Sequence, residues 1–323
     1  MNSNQEPNNR NYAADDEIDL RELFRVIWQG KWIIIAITFV FAVGSVFYAL
    51  SLPNIYKSEV TLSPAGEDAG GMRLSGQLGG LASLAGVNLG GTGVSNKTQL
   101  ALAVLESKQF KMDFIERRGI LPELMAAEDW TLTSNTLVYD DEVYDDESKT
   151  WKREVDPPKQ PQPSLQEAVK KFNGILSSSQ DDETGLVTIS IEHVSPYIAK
   201  QWVDWITLDL NENMRAREKE ESAKSIAYLE DQLGKTQLAD VKQVLFELIE
   251  EQTKTYMFTE VRDEYIFKTI DPAIVPEEKA KPSRAVLCIV GVLLGGFIGI
   301  GVTLVMPWIS NLKSKELTDT KNA

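Results

Sequence analysis

The sequence has one cysteine, Cys288, and one histidine, His193, in 323 residues. A lone cysteine excludes an intrachain disulfide, so the fold must rest on packing and assembly. A lone histidine with no cysteine beside it cannot build a His-rich metal site or a paired acid–base system. At the end of an expected strand, it is read as a structural or a surface residue. Hydrolase signatures of the G-x-S-x-G or H-E-x-x-H type are missing as well. Residues 91–98, Gly-Thr-Gly-Val-Ser-Asn-Lys-Thr, come near a phosphate-binding loop. Asn96 stands where that loop needs its second glycine, and no apolar strand precedes it, so the stretch is read as a loop leading into a helix. The cluster Asp140, Asp141, Glu142, Asp145, Asp146 and Glu147 lacks the spacing of a calcium loop. Basic excess is missing too. The net charge is -15, which argues against a nucleic-acid partner. The expectation is a protein with no cofactor, no metal and no catalytic residue.

Charge is wholly absent from two long runs. Residues 32–52 are 21 uncharged, mostly apolar residues, and residues 285–306 are 22. At about 1.5 Å per residue either run covers the roughly 30 Å of a bilayer core. The first run is longer than a signal-peptide core, follows 31 residues rather than a short basic stretch, and has no A-x-A site after it. Two transmembrane helices place both termini on one side. Arg21, Arg25 and Lys31 before the first, and Lys313, Lys315 and Lys321 after the second, put that side in the cytoplasm. Lys279, Lys281 and Arg284 oppose this, but a long loop crosses largely regardless of its charges. The expected organisation is a cytoplasmic segment 1–31, a span 32–52, a periplasmic domain 53–284, a span 285–306 and a cytoplasmic tail 307–323.

Residues 1–14 are polar and Asn-rich, without the apolar content of a folded segment. Leu20, Leu23, Phe24, Ile27 and Trp28 recur at helical spacing, as a helix lying on the membrane surface or as an extension of the first span. Residues 55–62 and 185–193 read as strands, the second alternating Val187, Ile189 and Ile191 with polar neighbours. Residues 66–93, rich in Gly, Leu, Ala and Ser, read as a flexible or loosely helical loop. A helix is expected from Lys97 to Arg118, stopped by Gly119. Pro157, Pro158, Pro161 and Pro163 continue the acidic stretch 140–163 as a surface loop or hairpin, and Ser164 caps the next helix. A long helix starts at Ser195-Pro196 and runs to about Leu233, polar through its middle. Gly234 is a break. Leu238, Val241, Leu245, Leu248 and Gln252 then form a coiled-coil-like seam. Residues 261–270 return as a strand. The fold class is α+β, with a small membrane-proximal sheet and a long helical hairpin.

The second span carries Gly291, Gly295 and Gly299 on one face, a doubled G-x-x-x-G that admits close approach of another helix. Gly44 and Ser45 in the first span offer a small matching surface. Pro272, Pro276 and Pro282 hold the chain extended before the second span, or act as an ordinary rigid linker.

Taken together, EIDLRELFRVIWQGKW entering the first run and EVRDEYIFKTIDPAIVPEEKAKPSRA entering the Gly-rich second run resemble the Wzz-type polysaccharide co-polymerases. These are the chain-length determinants of lipopolysaccharide O-antigen. The resemblance spans nearly the whole chain and is most specific from Pro272, Pro276 and Pro282 onward. The Gly-rich stretch 66–93 and the acidic loop 140–163 correspond to no family motif. The resemblance implies a non-catalytic regulator of the Gram-negative inner membrane. It implies a bell-shaped, ring-like homo-oligomer, an octamer among the numbers it allows. Its partners would be a separate polymerase and its lipid-linked glycan. The same machine could serve enterobacterial common antigen, capsule or exopolysaccharide, or activate a tyrosine kinase on another chain. A fused kinase is not expected: 17 residues follow Met306, none a tyrosine. A transport adaptor with a helical hairpin is disfavoured by the second span.

Overall fold

The computed structural model describes residues 25, 27–65 and 93–319, with the side chains of 93–96 and 306–319 left aside. The Asn-rich start, most of the amphipathic lead and the Gly-rich stretch 66–92 lie outside the described residues. The chain divides into two compact units, one holding both long apolar helices and the other spanning Pro53–Lys281.

The first unit contains α1, Lys31–Ser51, and α8, Arg284–Asp319. Their candidate spans are Lys31–Ser51 and Arg284–Val305. Only 6% and 11% of the two apolar windows are buried inside the protein. A soluble core helix would be mostly covered, so these surfaces have the character of lipid-facing helices.

The second unit is built on one antiparallel sheet of order β6-β7-β1-β8. Strand β1 is Tyr56–Pro64, β6 is Leu176–Gln180, β7 is Val187–His193 and β8 is Phe267–Asp271. Central β1 pairs with β7 from Tyr56↔His193 to Leu62↔Val187, and with β8 from Thr61↔Asp271 to Pro64↔Phe267, with a register shift at Thr61/Leu62. The strand after the first span and the strand before the second are therefore neighbours. The alternation read from the sequence is real in β7: Val187, Ile189 and Ile191 are completely buried.

Helices cover that face. α2 is Gly93–Glu106, α3 is Lys108–Arg118 and α4 is Leu121–Ala126. The single helix expected to Arg118 is two, because Ser107 adopts an extended conformation and its side chain accepts from the Phe110 N–H, capping a new helix. Gly119 ends α3 at φ 64, a left-handed position suited to glycine. Two hairpins follow, β2 (Ala127–Thr131) with β3 (Thr136–Tyr139), and β4 (Tyr144–Asp145) with β5 (Thr150–Trp151). The second lies in the acidic stretch, where Asp145 pairs with Lys152 at 2.9 Å and Asp146 with Lys149 at 2.5 Å. Helix α5, Leu165–Phe172, opens on a full capping box of Ser164 and Glu167.

Helix α6, Pro196–Lys235, has 40 residues and spans about 60 Å. Ser195 caps it and Pro196 occupies its first turn, where a missing N–H costs nothing. It does not break at Gly234. A helical glycine costs only about 1 kcal/mol, and the turn is made by 236–238 instead, with Thr236 extended. Helix α7, Ala239–Val261, then packs back along α6. It runs through Val261, so the returning strand is shorter than the sequence suggested, Phe267–Asp271 only.

The core gathers Val60, Leu62, Phe114, Phe172, Val187, Ile189, Ile191, Trp202, Ile206, Leu210 and Phe267. Each such side chain, fully buried, contributes roughly 1.5–3 kcal/mol of transfer free energy. Phe114 and Phe172 stand 5.5 Å apart by ring centre, and Phe172 and Trp202 6.3 Å.

Candidate functional site

In the first unit, the face of α8 that carries Gly291, Gly295 and Gly299 lies against α1. A Cβ on Gly295 would stand 2.7 Å from Phe41 Cβ and 3.0 Å from Thr38 Cα. One on Gly299 would stand 3.0 Å from Ile34 Cα, and one on Gly291 would overlap Ser45. The contact therefore reads 291, 295, 299 against 45, 41/38, 34, an antiparallel pair with backbones in near contact. Such approach is open only to glycine, and in lipid it is packing rather than water exclusion that holds helices together. Gly44 is off this contact; a Cβ there would meet nothing within 4 Å. Ser45 folds its hydroxyl back to the Ala42 carbonyl at 2.8 Å, so its polar group is partnered within its own helix at this contact.

Pro272, Pro276 and Pro282 are strung along residues 272–283, which are free of helix and form no strand beyond a bridge between Lys281 and Ile55. The segment is fastened in the second unit at Ala273, which is buried, and at the Ile274 carbonyl, which accepts from Ser58 Oγ at 2.8 Å.

The helical hairpin departs from its expected seam. Lys242, Leu245, Ile249, Gln252 and Tyr256 are half-buried and Thr259 is buried, whereas Val241 and Leu248 are exposed. The packed face is rotated from the predicted one and shares only Leu245 and Gln252 with it. The facing surface of α6 is itself polar at Lys219 and Ser222. Helix α7 accordingly turns mixed side chains inward, with Lys219 paired to Glu260 and 5.7 Å over the Tyr256 ring. The apolar side chains left outward are Val241, Val244, Phe246, Leu248, Met257, Phe258 and Val261.

Two buried polar devices escaped the sequence reading. Asn211, inside α6, accepts from the N–H groups of Ile266 and Phe267 at 2.9 and 3.0 Å and donates to the Phe267 carbonyl at 3.2 Å. It clamps the point where the hairpin returns to the sheet. Asp209 is fully covered and receives Arg118 at 2.5 Å and Arg117 at 3.2 Å. The signal for either would have been a polar residue at a core-facing helical position, Asp209 three residues after Ile206 and Asn211 three before Met214.

His193 is buried. Its Nδ1 accepts from the Ser195 N–H at 3.0 Å, which leaves the proton on Nε2, 3.2 Å from the Glu123 carbonyl. Burial holds its pKa down at about 4. With both nitrogens engaged, the ring serves structure. Nearby, burial pushes the Glu123 carboxyl up, lowers the Lys171 ammonium, and raises Tyr139 to about 12. Among the described residues, no three His, Cys, Asp or Glu side chains are grouped to hold a metal ion. Gly93 to Thr98 form the start of α2 rather than a phosphate-wrapping loop.

Residues 16–116 match the model of the Wzz family, chain length determinant protein. The resemblance drawn from the sequence is borne out over this stretch, which holds the charged lead, the first apolar run, β1, α2 and most of α3. The segment with Pro272, Pro276 and Pro282 lies outside it. None of the curated proteins matches the chain. Among solved structures, a full-length bacterial polysaccharide co-polymerase aligns over 92% of this chain and 99% of its own at 13% identity, with a TM-score of 0.39.

Proposed function

We propose that this protein is a non-catalytic polysaccharide co-polymerase that sets the modal length of lipopolysaccharide O-antigen made by a separate polymerase. The observation that carries the reading is the chain-length-determinant family match over residues 16–116. It is supported by two candidate spans enclosing one long domain. In this reading the domain faces the periplasm, both termini are cytoplasmic, and protomers assemble in the inner membrane as a ring. The outward apolar residues of α7 support assembly, since contiguous exposed apolar surface marks an interaction site. Val241, Val244 and Leu248 follow at helical spacing and would be covered by a neighbouring protomer.

The test is a gel of surface lipopolysaccharide from a strain lacking the gene, beside the complemented strain. Loss of the modal cluster, leaving a broad distribution weighted to short chains, supports the proposal. An unchanged pattern in a strain with no second regulator removes the O-antigen assignment and moves the comparison to common antigen, capsule and exopolysaccharide. A second test concerns the paired helices. Gly295→Leu should shift or abolish the modal length while the domain keeps its wild-type unfolding curve. A wild-type length distribution from this folded variant separates length control from the glycine contact.

A further inference from the structure

The β2–β3 hairpin ends in a turn, residues 132–135, closed by Asn135 at φ 52, whose Oδ1 accepts from Trp130 Nε1 at 2.9 Å. At this braced tip Leu132 is 77% exposed. A leucine so placed makes no core contribution, and the turn does not need it. Behind it the Trp130 ring meets Tyr56 edge-on at 5.8 Å and Tyr197 at 6.1 Å, and Tyr197 is itself 48% exposed. Rings with one apolar body and one polar edge are the residue type favoured at membrane–water boundaries.

Chain connectivity says what this cluster faces. Tyr56 is four residues beyond Leu52, a reach of no more than about 14 Å. Its neighbour Ile55 is bonded through its N–H to the Lys281 carbonyl at 2.9 Å, and Lys281 is three residues from Arg284, where α8 begins. Both strands of chain that enter the bilayer thus converge on the residue next to Tyr56. The opposite end of the sheet, the β6–β7 turn at 181–186, carries no such tether.

We infer that the β2–β3 hairpin is an interfacial anchor, seating Leu132 and Trp130 in the phospholipid headgroup region of the leaflet beside which the domain stands. The inference rests on residues 31–51 and 284–305 being membrane spans. Glu128 and Asp129 sit at the start of the same hairpin, with Asp129 Oδ1 accepting from the Trp130 N–H, so the seat is shallow and favours zwitterionic over anionic lipid.

The experiment uses the full chain in phosphatidylethanolamine/phosphatidylglycerol vesicles. An environment-sensitive fluorophore is placed on Leu132→Cys in a Cys288→Ser background, and separately on Asp182→Cys, at the far turn. Both sites are exposed, so folding is preserved. The native Cys288, labelled in the unmodified chain, reports on the spans. The expected result is blue-shifted emission at 132, quenched by headgroup-nitroxide lipid, with solvent-like, unquenched emission at 182. Solvent-like emission at 132 overturns the anchor. So does a blue shift that lipid nitroxides leave unquenched, which would mean a protein contact such as a second protomer. If acyl-chain nitroxides fail to quench Cys288, the spans themselves are wrong and the anchor falls with them. Quenching at 288 but not at 132 overturns the anchor alone.

Discussion

The two halves of helix α6 are made of the same secondary structure and are stabilised in different ways. From Pro196 to Met214 the helix buries Ala199, Trp202, Val203, Ile206, Asp209, Leu210, Asn211 and Met214 at three- and four-residue spacing. From 215 to Lys235 only Ser222 is buried. The root is held by apolar area against β1 and β7, with its two polar members fully partnered. The arm is held by helix-local pairs such as Lys224–Glu220 at 2.6 Å, by cross-hairpin pairs, and by half-buried contact with α7. Surface pairs of this kind contribute little in water, so the arm is stable chiefly because the root nucleates it and α7 lies along it. A helix can extend well beyond its core when its hydrogen bonds are internal, but its outer half then has little resistance to local opening. Covering the arm's apolar outer face with a neighbour would supply what the isolated hairpin lacks.

Four measurements break or sharpen this contrast. Trp202→Ala removes a side chain 1% exposed at the centre of the root. It should cost about 3–5 kcal/mol in denaturant unfolding of the purified protein, and a loss under 1 kcal/mol would dissolve the distinction between root and arm. Acidification tests the root by another route. His193 is neutral when folded, with its pKa held down to about 4 against an ordinary value near 6.5. The unfolded chain takes up a proton first, so stability present above pH 6.5 is lost as pH falls toward 4, by about 2–3 kcal/mol. The difference between wild type and His193→Gln in unfolding free energy should therefore change over that window and be flat above pH 7; a difference independent of pH between 4 and 7 would contradict the buried neutral ring.

Asn211→Leu strands the N–H groups of Ile266 and Phe267 at the junction of root and arm. A loss of about 2 kcal/mol is expected, read as faster amide exchange at 262–268 with β7 still protected. Uniform loss of protection across the sheet would show that the junction is no separate unit. Smallest of all, Lys219→Ala removes the Glu260 pair from the arm and should leave the denaturant unfolding midpoint unchanged. A clear fall in that midpoint would mean that the arm is held by its charges after all.

Much of this was legible in residues alone. The two uncharged runs stand as long apolar helices because length and hydropathy are local properties. Ser164, Ser195-Pro196 and Gly119 act as start and stop signals because a cap needs only its next three residues. The β7 alternation survived because one face of a strand must be covered. The errors fell where a local signal competed with another. Ser107 outweighed the continuous helical pattern around it, and Gly234 was too weak a breaker against the turns on either side. For the exchange of Val241 and Leu248 with Lys242 and Ile249 at the seam, the deciding partner was the polar face of α6, far away in sequence.

The sequence by itself determined where the two long apolar helices lie and where most of the other helices begin. Only the tertiary structure decided that Asn211 ties hairpin to sheet, that the glycine face of α8 meets Ile34, Thr38, Phe41 and Ser45, and that Trp130 joins Tyr56 and Tyr197. The reason is physical. Capping, hydropathy and period act over one to four residues, whereas a buried hydrogen bond or a close helix contact depends on a partner that folding brings from tens or hundreds of residues away.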